Sequence, residues 1–345
     1  MNESAWIKEK HARLTVENAE KPVPGDGEVL VKVEVIAFSP IESKIQRYAT
    51  HPVPYPLVLG GSFAGTVEAV GPDVTALQPG DLVAVNRAGK VQGDSRFGGF
   101  QKYALACVSS SSKLVPGTPL EAAAASILNL ATVASALSIH LGLARPSLSS
   151  DNPAAEAKGK KVLVYGGSSP TGGLAINYAV IAGYTVITTS SPQNRGFVES
   201  LGPVAVIDHT LPADQIADQI RAHGPYDAIL DTIGLPPVTN MLVGYLSSLG
   251  GGTYNTMTPL FGPENPVPDT VQRRFAPYSW SFEQPANLDF ARWFYEEYVP
   301  QGLASGLIVP TRPQWVHGGL AKAQHALDLL DQNAVSGHKL VMNSW

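Results

Sequence analysis

The chain has 345 residues, a net charge of −5 and a single cysteine, Cys107. Hydrophobic residues make up 44% and charged residues 15%, enough apolar material for a buried core and too much for a disordered chain. The acidic balance, without basic blocks, argues against nucleic acid or a membrane as partner, and one cysteine excludes an intramolecular disulfide and a four-cysteine zinc site.

The opening MNESAWIKEKHARL is polar, and no run approaches the roughly 20 apolar residues of a membrane span, so a cytoplasmic protein is expected. The N-terminal third reads as β structure. EVLVKVEVIAF (28–38), GTVEAVG (65–71) and DLVAV (81–85) are β-rich runs set off by the turns PGDGE, GPDV and QPGD. Near Leu120 the character changes: residues 121–142 are Ala-rich and lack proline, and they predict a long helix. Residues 144–160 follow as a surface loop.

A β/α alternation comes next. Strands are expected at 160–167, 184–191, 204–209, 226–234 and 252–257, with helices at 174–183, 195–202, 213–224 and 239–250. This spacing predicts an α/β, doubly wound parallel sheet. Residues 258–288 are rich in proline and aromatics (Phe261, Phe275, Tyr278, Trp280, Phe282) and read as one long irregular loop. A helix at 318–333 and a strand at 336–343 close the chain.

The chemistry is read at two turns of the α/β half. Gly166-Gly167-Ser168-Ser169-Pro170-Thr171-Gly172-Gly173 stands between a strand and a helix, where N–H groups and the helix dipole suit a pyrophosphate. Pro170 has no N–H to give, so the expected donors are Ser168, Ser169, Thr171, Gly172 and Gly173. The second strand ends Thr189-Ser190-Ser191-Pro192-Gln193-Asn194-Arg195, without the carboxylate that holds a ribose 2′-OH in NAD sites. Hydroxyls and Arg195 there suit a 2′-phosphate, which favours NADPH; the alternative for Arg195 is a solvated first-turn residue.

The ordered segments GEVLVKVEVIAFSPIESKI, PLVLGGSFAGTVEAVG, LQPGDLVAV, FGGFQKYALA, VLVYGGSSPTGGLA, YDAILDTIG and SGHKLV resemble the medium-chain dehydrogenase/reductase family over about residues 5–343. The resemblance implies a GroES-like catalytic domain (1–125 and 291–345), a Rossmann NADP-binding domain (126–290), and a site in the cleft between them. Zinc-dependent members carry Gly-His-Glu where this chain has Gly61-Ser62-Phe63, and a cysteine near Ser39–Glu42, where it has none. No metal is therefore expected. Within the zinc-free branch the chain is most similar to the fungal trans-acting enoyl reductases, through SPIESK (39–44), NLATVASALSIHLGL (129–143) and TTSSPQN (188–194). It departs from that group at Glu42, Ser62 and His209.

The resemblance implies hydride transfer from NADPH to the β-carbon of an activated double bond, with charge building on the carbonyl oxygen. Lys44 and Thr132 match cleft positions of the family; Lys44 would meet the cofactor or the oxyanion, and Thr132 the substrate or nicotinamide. Tyr48, less so Tyr55, is a candidate proton donor. His209 and Ile233 are expected at the cofactor, and Ser135, Ala136, Ile139, Phe275 and Trp280 as substrate walls. The expected substrate is a small-molecule or carrier-bound acyl group, with a polyketide synthase as a possible partner and a monomeric or homodimeric protein. Two other readings stay open: a quinone or enone reductase of small diffusible substrates, and a catalytically silent NADPH-binding scaffold.

Overall fold

Strand-forming residues and turn glycines dominate the first third. In the computed structural model, which describes residues 1–148, 155–259 and 265–345, they build β1 (Asn2–Ile7), β2 (Thr15–Ala19) and β3 (Glu28–Ala37). The short helix α1 (Pro40–Tyr48) follows, with Pro40 in its first turn, where a missing N–H costs nothing. Next come β4 (Leu57–Val58), β5 (Ser62–Val70), β6 (Leu82–Asn86), β7 (Tyr103–Cys107) and β8 (Ser111–Lys113). Helix α2 (Leu120–Ala134) then runs on as a π-helical turn, Ser135–His140.

The alternating half supplies β9 (Lys161–Tyr165), α3 (Pro170–Ile181), β10 (Thr185–Ser190), α4 (Arg195–Ser200), β11 (Ala205–Asp208) and α5 (Ala213–His223). It continues with β12 (Ala228–Asp231), α6 (Pro236–Ser248), β13 (Gly252–Thr256) and β14 (Val271–Phe275). The tail holds α7 (Leu288–Arg292), α8 (Val299–Ser305), β15 (Pro313–Trp315), α9 (Ala323–Asp331) and β16 (Lys339–Asn343).

The chain divides into two compact units, residues 1–131 with 282–345 and residues 132–281. The division falls inside the long helix and at the end of the aromatic segment, several residues from the expected limits at 125/126 and 290/291. In the first unit a seven-stranded sheet runs β15-β16-β3-β5-β6-β8, with β7 also on β3, and a small sheet runs β2-β1-β4. Its core gathers Ile36, Phe38, Phe63, Val85, Phe100, Leu340 and Met342, all nearly inaccessible. Burial of such side chains contributes about 1.5–3 kcal/mol each.

In the second unit all six strands are parallel, in the order β11-β10-β9-β12-β13-β14. Counted from β9 this is 3-2-1-4-5-6, the doubly wound order of dinucleotide-binding sheets. Its central strands are buried on both faces, which explains the unbroken apolar runs KVLVY and AILD.

Two expectations need correction. Residues 258–288 are not one irregular loop: Val271–Phe275 pairs in register with Gly252–Thr256 as the sixth strand. Its polar edge sequence, VQRRF, hides it from a periodicity reading. Residues 149–154 of the expected surface loop, and Phe261, lie outside the described residues. Second, Leu120–His140 is long and apolar enough to cross a membrane by composition, yet 72% of its apolar window is buried inside the protein, as in a core helix.

Candidate active site

The turn after β9 is shaped by what cannot fit there. Gly166 has φ 89°, and a Cβ on it would lie 2.6 Å from Ile233 and Thr232 side-chain atoms. A Cβ on Gly172 would lie 2.1 Å from the Gly166 carbonyl oxygen. The backbone thus turns tightly and opens the N-terminus of α3, the arrangement that suits a phosphate. This is the observation on which a nucleotide fits.

Several of the expected donors already bond within the turn. Ser169 is the N-cap of α3, its Oγ accepting from Gly172 N at 2.9 Å and lying 2.9 Å from Thr232 Oγ1. Gly173 N donates to the Ser169 carbonyl at 2.9 Å. Gly172, Gly173 and the Ser169 hydroxyl are therefore occupied in building the helix, because a first turn must satisfy its own N–H groups. Ser168 and Thr171 stand half-exposed at the mouth.

At the end of β10, Ser190, Ser191, Pro192 and Arg195 line a small cavity of about 40 Å3 with Val206 and Asp208. Ser190 is buried, its Oγ donating to the Ser191 carbonyl at 3.1 Å, and Asn194 Nδ2 reaches Ser191 Oγ at 3.4 Å. Arg195 is about half-exposed and paired with Glu199 at 2.7 Å, one turn along α4. A solvated first-turn arginine was the alternative reading; the pair with Glu199 is a further feature of the structure. Asp208 is a carboxylate that inspection of β10 alone misses, because the next strand brings it in. Hydrogen bonds from the Thr210 hydroxyl and backbone N–H hold its carboxyl below the usual range, with His209 and Arg195 adding to the effect. His209 itself is exposed, its N–H donating to the Ser190 carbonyl at 3.2 Å.

Ile233 packs against the Gly166 turn and is held by a residue that sequence reasoning overlooked. Asp231, fully buried at the end of β12, accepts from Ile233 N and Gly234 N at 2.9 Å each. Burial pushes its carboxyl up, while those N–H bonds pull it down. A carboxylate ending an apolar strand just before a glycine was the available signal.

The expected substrate-wall residues of the second unit are partly assembled. The π-helical turn redirects carbonyls, and the Ala136 oxygen accepts from Asn255 Nδ2 at 3.0 Å. Ser135 and Ala136 are fully buried and Ile139 half-buried. His140 Nε2 lies 2.8 Å from Ser281 Oγ, and its ring meets Tyr278 edge-on at 5.0 Å, so this turn and the segment after β14 are tied together. Burial, then Arg274, holds the His140 imidazole below its ordinary range. Phe275 and Trp280 are 45% and 39% exposed. Thr132 is half-buried at the start of this unit.

In the first unit, α1 presents Lys44 half-buried, and burial holds its ammonium below the ordinary lysine range. Tyr48, on the last turn, is 57% exposed with Arg47 over its ring. Its hydroxyl therefore faces solvent, whereas the Tyr55 hydroxyl is buried with no hydrogen-bond partner among the described residues. Glu42 closes the N-terminus of α1: its carboxylate accepts from Ser39 N at 2.6 Å and Gly61 N at 2.8 Å. Ser62 is buried, donating to the Ala124 carbonyl at 2.6 Å. No cluster of three or more His, Cys, Asp or Glu suited to a metal occurs among the described residues.

Residues 25–118 match the alcohol dehydrogenase GroES-like domain family. The trans-enoyl reductase himH of Aspergillus japonicus is 32% identical, the match covering 99% of this chain and 97% of that protein. The chain belongs to the medium-chain dehydrogenase/reductase family, among the fungal trans-enoyl reductase-like members. The enoyl reductase component lovC of the lovastatin nonaketide synthase, from Aspergillus terreus, is 28% identical over 96% of this chain and 93% of its own length. Among solved structures, a mycobacterial protein complexed with NADPH superimposes with a TM-score of 0.76 at 23% identity, covering 99% of this chain and all of that one.

Proposed function

We propose that the chain is an NADPH-dependent, zinc-independent reductase that delivers hydride to the β-carbon of an activated C=C bond of the enoyl-thioester type. The observation that carries the reading is the Gly166–Gly173 turn, which admits no side chain at Gly166, Gly167 or Gly172 and opens a helix N-terminus at the centre of a 3-2-1-4-5-6 sheet. Full-length likeness to trans-enoyl reductases, and the NADPH in a structural neighbour, support the reaction and the cofactor. Bound there, NADPH supplies the hydride.

The chain's own residues would divide the remaining work. Ser168 and Thr171 hold the pyrophosphate at the mouth of α3. Ser190, Ser191, Asn194 and Arg195 take the 2′-phosphate, Arg195 exchanging Glu199 for it, while Asp208 limits how much negative charge the cavity accepts. His209 borders the adenine side, and Ile233 backs the turn. Lys44, its charge less solvated than a surface lysine's, offers a donor to the carbonyl oxygen as charge develops there. Thr132 positions the acceptor, beside Ser135, Ala136 and Ile139, with Phe275 and Trp280 covering an apolar acyl chain. Of the two candidate proton donors, the buried Tyr55 hydroxyl fits better than Tyr48. Zinc independence rests on the donor set: Ser62 and Phe63 stand at the Gly-His-Glu positions, and no thiol lies at Ser39–Glu42. The likeness to lovC extends the proposal to a carrier-bound substrate supplied by a polyketide synthase.

Fluorescence titration with NADPH and NADH, followed by crotonyl-thioester and benzoquinone in turn, tests this. The reading requires tighter NADPH binding and thioester-dependent oxidation. Quinone turnover alone would make this a quinone reductase, and no nucleotide binding would leave a silent scaffold.

A further inference from the structure

Lys339, the first residue of β16, is 2% exposed, which is rare for lysine. Its Nζ donates to Ser39 Oγ at 2.6 Å and to Asn129 Oδ1 at 3.0 Å. Ser39 is the N-cap of α1, five residues before Lys44, and Asn129 lies on α2, three residues before Thr132. The charge of Glu42 acts on the ammonium, and Glu42 also feels the buried Arg87. Glu42 spends its oxygens on the N–H groups of Ser39 and Gly61, so the lysine is held by neutral acceptors rather than by a direct ion pair. Burying an ammonium this way is costly, and an apolar side chain of similar volume would fill the space at less expense. The cost is explained if the lysine fixes something that a methionine could not.

We propose that Lys339 is a positioning residue. By bonding Ser39 and Asn129 together it locks the start of α1, and with it Lys44, to the turn of α2 that leads into Thr132. The inference rests on the reductase reading for what the two helices carry, though the tether itself does not. Misplacing a reacting group by about 1 Å lowers rates by about 100-fold, so a loosened tether is read in kcat. With Lys44 in the oxyanion role proposed above, nucleotide affinity is expected to stay unchanged, since the Gly166–Gly173 turn belongs to the other unit.

The test compares the full-length protein with Lys339→Met and Lys339→Gln. The expected result is a fall in kcat on crotonyl thioester of about tenfold or more for Lys339→Met, at unchanged Kd for NADPH. Lys339→Gln, which keeps a donor, recovers part of the loss, which lost packing alone does not explain. Amide exchange should rise in residues 39–49 and around Asn129 and stay unchanged in the parallel sheet. A Lys339→Met kcat within about twofold of wild type, or a Gln variant no better than the Met variant, overturns the proposal. Should Lys339→Met not fold, Asn129→Ala removes one tether only and carries the same expectations. If the wild type reduces no thioester, the reductase reading fails; exchange then decides the tether, and unchanged exchange in 39–49 of Lys339→Met overturns it.

Discussion

At the scale of single residues, the side chains that shape the candidate site are harder to read from sequence than those proposed to act in it. Lys44 and Thr132 stand out through family likeness, whereas Lys339, Asp231 and Asp208 work by burial or by arriving from a neighbouring strand. Lys339 makes a prediction of its own, because burial pushes its ammonium down to about 8. Below pH 8 both folded and unfolded chains hold the proton, and the cost of burying the charge is fully present. Between about pH 8 and the unfolded value near 10.4, the folded chain sheds the proton first, so this residue's contribution to stability rises with pH. The melting temperature of wild type minus that of Lys339→Met, measured from pH 7 to 10, should therefore increase; a flat difference contradicts the burial argument. Lys44→Ala is expected to lower kcat about 100-fold with little change in NADPH Kd, as loss of one oxyanion donor does, measured by steady-state kinetics and titration.

The elements show where periodicity suffices. Buried parallel strands such as β9 and β12 are continuous apolar runs, and the helices between them end at glycines, so the α/β half was legible almost strand by strand. Strand β14 was not, since an edge strand paired on one side exposes Gln272 and Arg274, leaves Arg273 half-buried, and loses the apolar signature. Helix α1 was missed for another reason. Its local signal is only the Ser39-x-x-Glu42 capping box, in a helix of nine residues, and the bond from Gly61 N that also holds the buried Glu42 comes from 19 residues away. The turn into α3 was legible as a Gly-rich strand-to-helix turn, yet the division of labour within it was not, because Ser169 caps the helix while Ser168 and Thr171 stay at the mouth. Ser169→Ala should cost about 1 kcal/mol of stability and weaken NADPH binding through a frayed first turn, read by thermal melts and titration. Gly166→Ala should abolish NADPH binding, since its Cβ meets Ile233 and Thr232 at 2.6 Å and the residue sits at φ 89°.

For the whole molecule, each unit has its own core, and the chain leaves the first unit inside α2 and returns at Phe282. The interrupted order of the first unit was readable only through resemblance; composition alone shows a β-rich start and a helix–strand tail without saying that they share a sheet. That they do is set by β16 pairing with β3, Val341 opposite Ala37. NADPH at 100 times its Kd should stabilise the fold by about 2.7 kcal/mol, and NADH at the same concentration by less, in a thermal-shift comparison. The central claim concerns where hydride goes. It is tested most directly by one turnover of crotonyl thioester with NADPH deuterated at both C4 positions, the product examined by mass spectrometry and NMR. The account predicts a butyryl thioester with a single deuterium on the β-carbon and a solvent-derived proton on the α-carbon. Oxidation of NADPH without saturated product, or a β-carbon carrying only protium, would contradict it.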